Sequence, residues 1–327
     1  MKLLFVADPL EAFNPKKDST LAMMREARRR GHAVWACEPR HLHWSGGAGV
    51  TQPGPVRALC RHIQVPDAAK PWFSDIEQVD SALHAFDAVL MRKDPPFDSE
   101  FFYATHLLEQ AEREGARVFN APRALRDHPE KLAILEWPQF IPATLVSRDM
   151  AQLRAFATEH GDIIVKPLDG MGGAGIFRLR AGVGGSPDVN LGVVLETLTD
   201  WGRRSIMAQR FIPEIVQGDK RVLIIGGTPV PFALARIPQH GETRGNLAAG
   251  GKGVAQPLTA SDRAIAEALG PTLAARGLLL VGIDIIGERL TEINVTSPTC
   301  FVEINQQTGF DVAACFLDAL QARIGDS

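Results

Sequence analysis

The sequence predicts an α/β protein in which an open parallel α/β domain is followed by two smaller α+β units. Three observations carry this. Short continuous apolar runs alternate with amphipathic stretches over about the first 120 residues, the pattern of buried parallel strands and covering helices. A length of 327 residues exceeds one ordinary core at ~150 residues per domain. Glycine, 30 residues in all, gathers in two clusters at Gly170–Gly185 and Gly241–Gly253, where backbone can approach a ligand closely.

Taken in order, residues 3–7 are a buried strand, and Asp18/Ser19 offers an N-cap to a helix with Leu21, Met24, Ala27 and Arg28 at helical spacing. Arg25, Arg28, Arg29 and Arg30 crowd its last turns and Gly31 ends it. Residues 33–36 make the second strand of a β-α-β start. Residues 41–71, rich in Gly, Pro and His, read as irregular connection. A strand at 88–91, a helix at 100–114 closed by Gly115 and a strand at 117–120 complete the first domain, 1–124. The middle unit, 125–204, has expected strands at 145–147, 163–166, 176–179 and 193–196 and a helix at 150–159. The last unit, 205–327, has expected strands at 205–209, 221–225, 230–235, 281–286 and 290–294, with helices at 261–276 and 310–324.

Composition narrows the function. Lys+Arg 35 against Asp+Glu 38 leaves no basic excess, so nucleic acid is not an expected partner. The four cysteines form no C-x-x-C pair, which disfavours a disulfide framework or a zinc knot. The first apolar stretch stops at Ala7, short of the ~7–15 residues of a secretory segment. No run approaches the ~18 apolar residues of a membrane helix. The expected setting is the cytoplasm.

The glycine strings match neither common nucleotide signature. A Rossmann turn needs G-x-G-x-x-G after the first strand, where Asp8-Pro9 stands, and no G-x-x-x-x-G-K-[ST] string exists. The first cluster, Gly170 to Gly175, joins two strand-like runs. It reads either as a flexible cover over phosphates, with Lys166 supplying a point charge, or as an ordinary hairpin. Near the C-terminal end, residues 281–286 and 290–294 read as hairpin arms around Gly287-Glu288-Arg289. Glu292 and Asn294 share one strand face, and a three-residue loop sets Asp284 opposite Glu292. Two acids and an amide among apolar neighbours suit a hard cation such as Mg²⁺; a solvent-facing sheet surface is the alternative. Arg221 opens one expected strand and Arg236 ends the next, leading into a polar, glycine-rich stretch, 237–252, of the length and composition of a mobile lid or of a surface loop, with Arg244 and Lys252 as its cations.

Taken together, Lys166-Pro-Leu-Asp-Gly-Met-Gly-Gly, Asp219-Lys-Arg221, Ala235-Arg-Ile-Pro-Gln, Gly241-Glu-Thr-Arg-Gly-Asn-Leu-Ala-Ala-Gly-Gly and Thr291-Glu-Ile-Asn-Val-Thr-Ser-Pro-Thr-Cys300 resemble bacterial glutathione synthetase. Met91-Arg-Lys-Asp-Pro-Pro-Phe-Asp98, Lys16-Lys-Asp-Ser19 and Pro129-Glu-Lys131 extend the resemblance over nearly the whole chain. It implies the ATP-grasp fold, with ATP between the second and third units, and ATP-dependent ligation of γ-glutamylcysteine and glycine through an acyl phosphate. It further implies Lys131, Lys166, Gly172, Gly173, Gln209, Phe211, Ile212 and Asp219 on ATP, and Asp284, Glu292 and Asn294 on Mg²⁺, with Mn²⁺ as a substitute. Arg221, Arg236 and Arg244 would act on the reacting groups. Asp18, Ser19, Arg92, Gly250, Gly251, Thr296, Ser297 and Thr299 would serve the other substrates, and the assembly would be a homotetramer. Residues 41–49, 180–190 and 301–310 depart from the family pattern. Cys300 and the nine histidines carry no expected chemistry. A ligase for a different acceptor and an ATP-binding regulator with a decayed site are the competing readings.

Overall fold

The structure, a computed structural model, describes residues 1–51, 54–66, 71–182, 185–239, 241–242, 245 and 250–325. The first unit runs β1 (Lys2–Val6), α1 (Ser19–Arg29), β2 (Ala33–Cys37), β3 (Leu42–His43), β4 (Arg57–Gln64), β5 (Ser74–Ala82), β6 (Ala88–Met91), α2 (Ser99–Arg113), β7 (Val118–Phe119) and α3 (Pro122–Asp127). Asp18 caps α1 as expected, its carboxylate accepting from the Leu21 N–H at 2.8 Å. Strands β2, β1, β6 and β7 are parallel neighbours in that order. The expected irregular connection at 41–71 instead holds β3 and β4, and β5 follows. These three strands add an antiparallel extension beyond β2, so the sheet is parallel from β2 to its β7 edge and antiparallel at the other end. Strand β4 does bury Ala58, Cys60 and Ile63, but the surrounding Gly, Pro and His masked that short pattern, and β5 has no buried alternation at all. Residues 74–80 are all exposed, and β5 is tied to β4 by Arg57–Asp80 and Arg61–Asp75 pairs rather than by a buried face.

The second unit has β8 (Thr144–Ser147), α4 (Met150–His160), β9 (Asp162–Pro167), β10 (Phe177–Arg180), α5 (Leu191–Thr199) and β11 (Ile206–Arg210). They build an antiparallel sheet in the order β10-β9-β11-β8. Residues 193–196, expected as a strand, lie in α5: Leu191, Val194 and Leu195 are buried at helical spacing, and Leu198 packs with them. Strand β11 pairs with β8 and β9, so a division by sheets falls beyond Arg210 rather than at 204/205.

The third unit has β12 (Asp219–Ile225), β13 (Thr228–Ile237), β14 (Lys252–Pro257), α6 (Ala260–Ala275), β15 (Leu280–Ile286), β16 (Arg289–Asn294), α7 (Phe301–Thr308) and α8 (Val312–Gly325). Its antiparallel sheet runs β14-β13-β12-β15-β16; β14 and α7 were not expected. The first and third units share their cores. Leu3, Phe5 and Leu21 cluster with Phe316, Leu317 and Leu320, while Val89 and Leu125 cluster with Val281 and Ile283. Each such side chain contributes about 2 kcal/mol by leaving water. Arg30 adds a polar tie, reaching Asp318, Gln321 and the Ala314 carbonyl of α8. The second unit has a separate core around Leu153, Val165 and Leu195. A cleft therefore forms where its sheet meets the jointly packed remainder.

Candidate active site

The cleft, of about 320 Å³, is walled by the β9–β10 loop and β11 on one side and by β12, β13, β15 and β16 on the other. Its acidic wall is the β15–β16 pair. Asp284 stands opposite Glu292, and Asn294 opposite Gly282. The pairing is the expected one, reached differently. The turn has only two residues, Gly287-Glu288, and a bulge at Thr291 shifts the register by one between Ile285↔Leu290 and Asp284↔Glu292. Without that extra residue Thr291 would face Asp284, and Glu292 would lie on the other sheet face. The Thr291 hydroxyl holds the bulge by donating to the Asp284 carbonyl at 3.1 Å.

Each carboxylate has its own cations. Asp284 is buried and receives Arg221 through Nε and through Nη2 at 3.0 Å, and Arg236 Nη2 at 2.9 Å. Burial alone would raise its pKa, but the two guanidiniums hold it well below the usual carboxylate range. Gly282 makes room for this: a Cβ there would stand 2.9 Å from Arg221 Cδ. Glu292 receives Lys166 Nζ at 3.2 Å and has Lys131 Nζ at 3.9 Å; these lysines outweigh its burial and lower its pKa. Asn294 Nδ2 lies 3.3 Å from Asp284 Oδ2. Asp219 is paired through Oδ2 with Arg236, while its buried Oδ1 has no hydrogen-bond partner among the described residues. Burial, against the pull of Arg236, pushes this carboxyl up to about 6.

Lys131 and Lys166 are both buried. Lys131 donates to the Gly170 carbonyl at 2.6 Å and to Glu130 at 2.9 Å, joining the glycine loop to the acidic wall. In that loop Gly172, Gly173 and Gly175 have φ of 61°, 85° and 72°, a conformation that side-chain-bearing residues rarely adopt. Beyond the lysines the cleft turns apolar, lined by Ile164, Ile176, Phe211, Ile212, Ile215 and Ile286. Gln209 sits at its edge, donating to the Thr144 hydroxyl at 3.1 Å.

The structure thus gathers Lys131, Lys166, Gly172, Gly173, Gln209, Phe211, Ile212, Asp219, Arg221, Arg236, Asp284, Glu292 and Asn294 around one space, with Thr296, Ser297 and Thr299 at its end. Three expected residues stand behind it. Asp18 caps α1, Ser19 accepts from the Phe301 N–H at 3.2 Å, and Arg92 donates to Thr20 and to the Pro298 carbonyl. Arg92 therefore supports the 296–300 turn from below. Burial lowers its pKa to about 10. Gly250 and Gly251 lie off the cleft lining, the Gly250 carbonyl accepting from Gln239 Nε2 at 2.9 Å. Arg244 lies outside the described residues.

The sequence reading missed two acids. Glu130 and Asp94 both line the cleft. Burial and then Glu292 push the Glu130 carboxyl up to about 7. Its adjacency to Lys131 was the available signal. Cys300 also borders the cleft, but burial raises its thiol pKa, against the effect of both arginines, so it is a poor nucleophile. Among the described residues no group of three or more His, Cys, Asp or Glu side chains could hold a metal. The candidate set here is two carboxylates and an amide. Its hard-oxygen chemistry and the orphaned Asp219 Oδ1 nearby fit Mg²⁺. Among the described residues no helix is long and apolar enough to cross a membrane.

Two antiparallel sheets closing on a cleft with buried lysines and facing acids define an ATP-grasp fold. Solved structures share it: a D-cycloserine synthetase (TM-score 0.66, 16% identity, 99% of this chain and 100% of that one) and a Chryseobacterium gregarium RiPP-associated ATP-grasp ligase (TM-score 0.64, 16% identity, 99% and 97%). Residues 1–126 match the family described as prokaryotic glutathione synthetase, N-terminal domain, and residues 130–309 match prokaryotic glutathione synthetase, ATP-grasp domain. The glutathione synthetase of Ralstonia nicotianae is 55% identical over 325 residues (99% of this chain, 97% of that protein), and that of Neisseria meningitidis serogroup B is 56% identical over 322 (98% of each). The chain belongs to the prokaryotic glutathione synthetase family.

Proposed function

We propose that this chain ligates γ-glutamylcysteine to glycine at the expense of ATP, releasing glutathione, ADP and phosphate. The observation that carries this is the meeting of Lys131, Lys166, Arg221 and Arg236 with Asp284 and Glu292 in one cleft that ends in an apolar pocket. A carboxylate is a poor acyl donor until phosphorylated, and the amine then attacks the acyl phosphate. Both steps need positioning and charge neutralisation more than a protein nucleophile, which agrees with the unreactive Cys300. Lys131 and Lys166 would exchange their carboxylate partners for phosphate oxygens, and the Gly170–Gly175 backbone would cover them. Asp284, Glu292 and Asn294 would hold Mg²⁺, which supplies neutralising charge to the phosphates when bound. Arg221 and Arg236, rigidly held on Asp284, would orient the substrate carboxylate and stabilise the oxyanion; losing one such donor costs ~10²–10³ in kcat. The 237–252 segment, Arg244 included, would exclude water, the competing nucleophile. The enzyme would work in the cytoplasm as a homo-oligomer.

Incubation with ATP, Mg²⁺, γ-glutamylcysteine and glycine should yield tripeptide and phosphate in equal amounts. Folded protein that forms no tripeptide, yet releases phosphate with another acceptor, would place it among other carboxylate–amine ligases. Nucleotide binding without any turnover would make it a regulator.

A further inference from the structure

We infer that Arg178 is a positioning residue for the nucleotide's base, acting through Phe211. The inference rests on the reading of this cleft as an ATP site. Phe211 follows β11 and lines the apolar end of the cleft beside Ile164 and Ile212. Arg178, on β10, places its guanidinium carbon 3.4 Å from the centre of the Phe211 ring. A planar cation at that distance fixes the plane of the ring as well as attracting it. The cation is itself fixed. Asp162, at the start of β9, accepts Arg178 Nε at 2.9 Å and Nη2 at 2.6 Å, the two-pronged geometry that sets a guanidinium's orientation. The same Asp162 accepts the Phe211 N–H on its backbone carbonyl at 2.9 Å. One residue thus anchors both partners of the stack, the ring through its backbone and the guanidinium through its side chain.

Stability does not account for this arrangement. The Arg178 and Asp162 side chains are 23% and 31% exposed, so solvent partly screens the pair, and what folding gains from its two-pronged geometry does not require an aromatic ring stacked on the cation at the cleft wall. What the clamp does set is the wall that a flat, apolar ring system would meet, on the strand–loop junction that also brings Gln209 and Ile212 to the cleft. The chemistry selected is that of a purine base, and the residue that holds the wall is one layer removed from it.

The test uses Arg178→Met, Arg178→Lys and Asp162→Asn in the full chain. ADP affinity is measured by calorimetry, and KM for ATP, KM for γ-glutamylcysteine, kcat and the ATP-over-GTP preference by phosphate release. Arg178→Met should raise both the ADP Kd and the KM for ATP by about 3- to 10-fold. It should leave kcat and the dipeptide KM within about twofold and narrow the preference for ATP. Lysine cannot lie flat and bind Asp162 with two prongs, so Arg178→Lys should resemble methionine, and Asp162→Asn should fall between it and the wild type. Unchanged ADP affinity in Arg178→Met, full rescue by lysine, or an equal loss in dipeptide KM and kcat would each overturn the assignment. If Arg178→Met does not fold, Arg178→Lys decides by the same readings. The ADP titration stands even if the wild type makes no tripeptide, so failure of the ligase reading is seen separately.

Discussion

Asp284 faces Glu292 across the β15–β16 pair, yet the two carboxylates draw on different cations: Arg221 and Arg236 for the first, Lys166 and Lys131 for the second. The arginines come from neighbouring strands of the same sheet. The lysines come from the opposite wall and the loop before it. One carboxylate is thus built into the sheet, and the other is part of the closure between units.

That division predicts different phenotypes. Asp284→Asn leaves two buried guanidiniums short of their counter-charge and should cost about 3–5 kcal/mol of stability. Glu292→Gln keeps its size and an oxygen that still accepts from Lys166, Lys131 keeps Glu130, and both lysines line the open cleft where water reaches them, so the lost counter-charge is largely met by solvent. This variant should cost about 1 kcal/mol while lowering kcat by ~10²–10³. Urea melts and initial rates on both variants would show the split. Equal stability losses would make Glu292 a structural residue.

Stripping divalent metal should stop turnover and barely move the melting curve. The acids already have cation partners, so the fold does not depend on an ion to separate them. A chelator should shift Tm by no more than about 2 °C, the equivalent of ~1 kcal/mol in a chain of this size. A much larger drop in calorimetry would mean that metal is needed to hold the β15–β16 wall.

Asn120 is a structural pin. Its buried amide donates to the carbonyls of Leu280 and Val295, both at 2.7 Å, and accepts from the Leu280 N–H at 2.9 Å, joining the end of β7 to the third unit. Asn120→Ala orphans all three groups and should cost about 2–4 kcal/mol. Asn120→Asp, which turns a carboxylate oxygen toward two carbonyls, should be no better at pH 7. Denaturant midpoints near the wild type would show that water replaces the side chain.

Glu112, on α2, gives a pH signature away from the cleft. Burial, and then Glu109, push its carboxyl up to about 7 from an ordinary 4.5. The folded chain therefore binds this proton more tightly than the unfolded chain, and stability falls as pH rises from about 4.5 to 7. Glu112→Gln removes the penalty. It should raise stability at pH 8 by about 1 kcal/mol, the partial exposure screening the rest, and change little at pH 5. A gain of the same size at both pH values would trace to helix propensity instead.

Much of this was legible because it depends on local rules. The Asp18 cap, the buried runs of β1 and β6, and the shared face of Glu292 and Asn294 follow from spacing alone. The β15–β16 pairing was anticipated through the wrong device: a three-residue loop and a two-residue turn with a bulge give the same register, and sequence does not separate them. Strand β5 was not legible because Ile76 and Val79, its only large apolar residues, are exposed and three apart, leaving no apolar alternation. Helix α5 was mistaken because Val193-Val194 favours a strand locally, while Leu191, Val194, Leu195 and Leu198 mark the helix only over a longer window. Glu130 was passed over because its neighbour Lys131 carried the expected role. The Asp162–Arg178–Phe211 stack depends on two strands and a loop meeting in space, which no spacing records.

The packing of α1 against α8, sealed by Arg30 and Asp318 at a separation of 288 residues, bears on how the molecule is made. During synthesis at ~5–20 residues per second, the apolar face of α1 waits tens of seconds for the segment that covers it. In that interval Leu21, Met23 and Met24 have only part of their final surroundings. The N-terminal unit is therefore a client of its own C-terminal helix. Nascent chains stalled before residue 312 should be handed to chaperones or proteases rather than accumulate as a folded half.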